Sequence, residues 1–212
     1  MDGLLKIARS NGSWFPASVV DASLDAYDGP DLGWALFQLI IQSIDSRAGA
    51  RAGDVIATLA FLAGRVTQRA TMRDDPDSFR LNVSANGVAF LRNDAVNAKL
   101  TALVPGTLAS TLMESAMVAG ARRFPEFAMV AQEASGAMQR RGVAELRSNT
   151  LSASPRELMG LVQEDIDSLL IDPFNRATLV RAAIQACGHA VGYQRIRFCP
   201  AQAAEFALSV AL

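Results

Sequence analysis

One histidine, two cysteines and two lysines in 212 residues leave this chain short of the side chains on which most active sites are built. Any histidine-dependent acid–base mechanism has to run through His189. The cysteines, Cys187 and Cys199, make no disulfide framework and read as reduced thiols of a cytoplasmic protein. No GxGxxG follows a strand-like run, and neither a GxxxxGK[ST] phosphate loop nor a GxSxG nucleophile elbow occurs. No apolar run is long enough for a bilayer, which takes about 20 residues. The longest charge-free stretch, residues 32–44, is shorter and contains Gln38 and Gln42. The first residues, Met1-Asp2, have no basic start of a secretory signal, which again leads us to expect a cytoplasmic setting. A net charge of −1 excludes a global field for nucleic acid or anionic lipid, so neither nucleic acid nor a membrane is an expected partner.

What the chain has in quantity is small apolar residues. Half of it is hydrophobic, only 7% is aromatic and alanine supplies much of the rest, a balance that favours closely approaching helices over sheets. Two segments carry no ionisable side chain at all: Leu32 to Ile44 and Val55 to Gly64. A helix apolar around most of its circumference has to be covered on most sides. These two helices, over about 32–46 and 55–72, are therefore expected at the centre of the fold and in part at a homodimer interface. Ala57, Ala60, Ala63 and Gly64 predict tight packing along the second, and Asp54 is read as its N-cap.

Further helices are predicted over about 94–103, from Thr107 to about 122, from Pro125 to the Arg140-Arg141-Gly142 end, and from about 201. The clearest start is Ser154-Pro155-Arg156-Glu157, a capping box with proline in the first turn, followed by Leu158, Leu161, Val162, Ile166, Leu169 and Leu170 as its inward face. Asn175 opens another helix carrying Leu179, Val180, Ala183, Ile184 and Val191. Between them, Phe79 to Ala85 and Val88 to Arg92 flank Asn86-Gly87, which predicts a hairpin with a two-residue type I′ turn pairing Val83 with Phe90 and Leu81 with Arg92. The expected fold class is thus mainly α: one domain over 1–212, a helical bundle with a small antiparallel β-hairpin at about 79–92, and a third short strand offered by 193–198.

Three constellations come up for chemistry. Cys187, His189 and Cys199 are too few and wrongly spaced for a structural zinc site, so no metal or other cofactor is expected. On a helix Cys187 and His189 diverge; Cys187 shares a face with Ile184 and Val191 and reads as packing, and His189 as a histidine near a helix C-terminus. Glu164, Asp165 and Asp167 read as a solvated face. The third is Arg65, Arg69 and Arg73. Spacing of four puts them on one side of the second apolar helix, where they could hold an anionic group. Against this, cations suit a helix C-terminus, and Asp74, Asp75 and Asp77 stand near to neutralise them. No catalytic residue emerges. Two functions therefore compete first, a protein acting through self-association or protein–protein contact and a helical small-molecule binder or enzyme with an apolar pocket and an arginine-held anion; nucleic-acid binding through the arginine stripe is a third, disfavoured by the net charge.

Overall fold

The computed structural model describes residues 32–45, 51–83, 89–137, 151–169, 176–193 and 199–212. They form α1 (Leu32–Asp45), α2 (Ala52–Asp74), α3 (Asp94–Thr101), α4 (Leu108–Val118), α5 (Phe127–Ala137), α6 (Pro155–Leu169), α7 (Arg176–Tyr193) and α8 (Pro200–Ala211). A 3-10 turn (Pro76–Ser78) and two strands, β1 (Arg80–Val83) and β2 (Ala89–Arg92), lie between α2 and α3.

Local chemistry sets most of the ends. Asn93 Oδ1 accepts the Val96 N–H at 2.8 Å and opens α3. Thr107 Oγ1 accepts the Ser110 N–H at 3.4 Å and opens α4, as its sequence indicates. That helix stops at Val118, short of the expected residue 122. Gly120 takes a left-handed φ of 88°, and the Gly120 and Ala121 N–H groups turn back onto the Met117 and Ala116 carbonyls. At α6 the capping box is complete. The Glu157 N–H reaches Ser154 Oγ at 3.3 Å, and the Ser154 N–H and hydroxyl reach Glu157 Oε2 at 2.9 and 2.6 Å. The hydroxyl, then the amide, hold the Glu157 carboxyl below the usual carboxylate range. α2 begins earlier than its sequence suggests, with Arg51 at the cap position. Asp54 is thereby moved into the first turn and buried. Asn175, expected to open α7, lies outside the described residues, as do Arg140, Arg141 and Gly142.

Charge-poor α1 and α2 are covered by the chain itself. Leu36, Phe37, Ile40 and Ile41 of α1 are fully buried, and so is nearly every α2 residue from Ala52 to Gly64. The centre, however, is α2 with α7, rather than α1 with α2. α7 packs on α1, α2, α4 and α8, burying Ala182, Ala183, Ala186, Cys187, Ala190 and Val191. Small side chains make this possible. A Cβ on Gly64 would collide with the Ala211 carbonyl of α8, and one on Gly33 would stand 2.5 Å from Gln185 Cβ and 3.1 Å from the Ala182 carbonyl oxygen on α7. Along α6, Leu158 and Val162 are buried, but Leu161 is 69% exposed and leaves the expected inward face.

One polar atom in this core has no partner among the described residues: the Thr67 hydroxyl on α2. A buried donor left unmade costs free energy, so Thr67→Val, of nearly the same shape, should leave stability unchanged or raise it by up to about 1 kcal/mol. A loss on urea unfolding would mean that the hydroxyl is bonded.

The expected fold class needs correction, because the folded body is all helical and the β-hairpin is no part of it. Among the described residues, 80–83 and 89–92 pair only with each other, as a two-stranded ribbon that no helix touches more than in passing. Nor is it the hairpin the sequence suggested. Val83 pairs with Ala89 and Leu81 with Leu91, one residue out of the predicted register. The slip replaces the expected Leu81–Arg92 and Val83–Phe90 pairs by Leu81–Leu91 and Val83–Ala89. Residues 84–88 and 194–198 lie outside the described residues. Tyr193, the expected start of a third strand, ends α7.

Candidate functional site: an arginine-lined groove

Where α2 leaves the core, its character changes. Val66 and Thr67 are buried, whereas Arg65, Arg69 and Arg73 are exposed on one side. A cleft of about 570 Å³ opens beside them. Its wall on α2 is Phe61, Leu62, Arg65, Val66 and Arg69, and α6 supplies the other wall with Arg156, Met159, Gly160 and Gln163. On each helix these positions recur at three and four residues, so each wall is a single face. Leu179 of α7 closes the apolar side. A second hollow of about 510 Å³ continues from the first, sharing Val66, Arg69 and Leu179 and adding Met72 and Arg73. The three arginines singled out in the sequence thus border one continuous groove, with Arg69 in both parts.

The neutralising role expected of Asp74, Asp75 and Asp77 is not seen. Among the described residues no ion pair joins them to Arg65, Arg69 or Arg73. The Arg65 guanidinium lies 5.9 Å from the Phe61 ring centroid, a cation–π contact that leaves its N–H groups free to bind. Arg123 is the contrast. Its two Nη atoms grip Glu205 of α8 at 2.6 and 3.0 Å, and Glu205 also takes the Glu126 N–H at 2.8 Å. That hydrogen bond, then the charge of Glu205, raises the Arg123 pKa. Arg123 is therefore committed to tying α8 to the start of α5, whereas the groove arginines have no such partner among the described residues.

Arg156 and Gly160 were not singled out in the sequence as site residues. Arg156 stood inside a capping signature. Its place in the groove depends on how α6 is held, and one anchor is Asp54. The Asp54 carboxylate, 2% exposed, accepts the Ser152 N–H at 2.9 Å and the Ser152 hydroxyl at 2.7 Å, fixing the entry to α6 on the first turn of α2.

The other constellations are structural where they are described. Cys187 is fully buried, and burial pushes its thiol up to about 12. His189 packs against Trp34 and Phe37 of α1, its ring centroid 5.1 Å from the Trp34 ring, edge-on, and 6.2 Å from the Phe37 ring. Cys199 caps α8. Among the described residues no three His, Cys, Asp or Glu side chains cluster as metal ligands, and no helix is long and apolar enough to cross a membrane. Glu164 is exposed; the side chains of Asp165 and Asp167 lie outside the described residues.

The cysteines give a direct check. In the native protein a neutral disulfide reagent should modify Cys199 alone at pH 8, with Cys187 reacting only on unfolding. Because the unfolded thiol ionises near its usual value and the buried one does not, Cys187 should also make stability fall as pH rises from about 9 toward 12, by at most about 1.4 kcal/mol per unit. Urea unfolding at pH 8 and 10, compared with Cys187→Ala, reads that slope. Equal modification of both thiols in the native state would contradict the burial.

No known protein family matches the chain, and no curated protein or solved structure is similar enough to count as a match. The functional reading therefore rests on the groove.

Proposed function

We propose that this protein binds a small organic anion with an apolar body in the groove between α2, α6 and α7. The observation that carries the reading is the composition of the walls. Arg65, Arg69 and Arg156 meet Phe61, Leu62, Val66, Met159 and Leu179 around one cavity, with no carboxylate among the described lining residues. Guanidinium forks suit carboxylate, sulfonate and phosphate oxygens, and the apolar wall favours a ligand that is more than a bare ion. The described lining residues include none suited to acid–base or nucleophilic work, which supports binding over catalysis.

Anilinonaphthalene sulfonate combines one anionic group with an apolar ring system and is a suitable first probe. Its fluorescence should saturate at one molecule per chain, and Arg69→Ala should weaken binding by about tenfold, the loss of one charged contact of about 1.4 kcal/mol. Equal binding by Arg69→Ala and Arg156→Ala would sink the reading.

A second reading, homodimerisation, is favoured by a different corner. Val118 is 88% and Phe124 64% exposed where α4 gives way to α5, and Met117 and Met129 are exposed nearby. Such a patch suits a second copy better than α1 and α2, whose apolar faces are already covered within the chain. Sedimentation should then show a dimer at micromolar concentration that Val118→Glu dissociates; a clean monomer would count against it. The free thiols Cys187 and Cys199 support a reducing, cytoplasmic setting for either role.

A further inference from the structure

Two features of the groove say more about its occupant than that it is an apolar anion, and the inference drawn from them rests on the reading above. The first is charge. Four guanidinium groups, those of Arg65, Arg69, Arg73 and Arg156, border the continuous hollow, and no ion pair compensates them among the described residues. Along α2 they follow one another at about 6 Å per four residues, so the positive edge from Arg65 to Arg73 runs for about 12 Å. One carboxylate offers a single charge to this edge. A phosphoryl or diphosphoryl group offers two or three, with several oxygens that accept from neighbouring guanidinium forks at once.

The second is Gly160. It sits inside α6, where glycine is the worst helix former apart from proline. Packing does not require it: a Cβ built there meets nothing within 4 Å. Gly64 and Gly33, by contrast, are crowded by neighbouring helices. At Gly160 the missing side chain therefore serves the space in front of it, which is the groove. Bare backbone at that point lets a flat or extended apolar body lie close to α6, with Arg156 one turn before it.

We propose that the occupant is a phosphoryl or diphosphoryl ester of an extended apolar alcohol, its apolar body lying across Gly160 and its phosphoryl oxygens on Arg69 and the arginines to either side. The ester is a free molecule rather than a headgroup in a bilayer, since each of the two hollows, about 570 and 510 Å³, is of a size for a single small ligand.

Isothermal titration with geranyl diphosphate, decanoate and inorganic pyrophosphate tests this. Geranyl diphosphate should bind at least about tenfold tighter than either of the others, since only it meets both the arginines and the apolar wall. Gly160→Leu should lose at least about tenfold in affinity for it while keeping the wild-type circular dichroism and a melting temperature no lower than the wild type's, because the added side chain enters empty space rather than the core and leucine is the better helix former. Decanoate binding as tightly as geranyl diphosphate would overturn the phosphoryl assignment while leaving the apolar-anion reading in place. Unchanged affinity in Gly160→Leu would overturn the seat at Gly160. Absence of binding by all three ligands and by anilinonaphthalene sulfonate would overturn both. Co-sedimentation with phosphatidate vesicles, with no affinity for the free ester, would assign the phosphoryl group to a membrane surface and overturn the free ester.

Discussion

Gly64→Ala should destabilise this protein by about 2–3 kcal/mol, although alanine is the better helix former by about 1 kcal/mol. The added methyl is aimed at the backbone of Ala211, whose carbonyl carbon and Cα would stand 3.0 and 3.1 Å from it. Backbone cannot rotate aside as a side chain does. The last turn of α8 is also pinned, with Leu208 fully buried and Val210 nearly so. The strain therefore has to separate α8 from α2. Gly160→Ala provides the opposite outcome from the same chemical change. Its Cβ meets nothing, so only propensity acts, and stability should rise by up to about 1 kcal/mol. Thermal unfolding separates the two, since each kcal/mol moves the midpoint by about 2–4 °C in a chain of this size. Two stabilising results would show that α2 and α8 are not in close contact.

Asp54→Ala should cost about 2–3 kcal/mol and loosen the start of α6. The lost partners are an amide and a hydroxyl of Ser152, both bonded to the Asp54 carboxylate at 2.9 and 2.7 Å. Hydrogen bonds to charged groups are worth more than neutral ones, and the first turn of α2 adds its dipole to the favourable field. Asp54→Asn keeps one acceptor and the shape, so it should recover part of the loss. Hydrogen exchange at the α6 amides reads the local effect. Wild-type protection there in Asp54→Ala would mean that α6 is held by its apolar face alone, through Leu158 and Val162.

The helices most legible in the sequence are those whose signals are local. Ser154 and Glu157 cap α6 as the capping box requires, because both partners lie within one turn. Thr107 and the small-residue row ending at Gly64 worked for the same reason: each is a statement about neighbours on one helix. The central place of α7 was hidden. Its buried surface is made of Ala182, Ala183, Ala186 and Ala190, and alanine is too mild a hydrophobe to mark a helix as buried on several sides. For the ribbon at 80–92, Asn86-Gly87 suggested one register, but a turn signal competes with whatever the strands meet, and among the described residues no helix meets them more than in passing.

The candidate site was half legible. The change from apolar α2 to Arg65, Arg69 and Arg73 is visible along the chain, and all three border the groove. Arg156 and Gly160 were not visible as site residues, because nothing in their own helix says which neighbour they will face. That Asp74, Asp75 and Asp77 make no ion pair with these arginines is likewise a matter of direction in space, which proximity in sequence does not settle.

The central claim is that the groove, and not another apolar surface, takes the ligand. Methyl NMR during titration with anilinonaphthalene sulfonate tests it most directly. Methyl groups of Leu62, Val66, Met159 and Leu179 line the groove, whereas those of Leu103, Val104 and Val118 are exposed and do not line it. Saturable shifts confined to the first set, and lost in Arg69→Ala, are the result expected. Shifts that fall on Leu103, Val104 and Val118 while the groove methyls stay still would contradict the account.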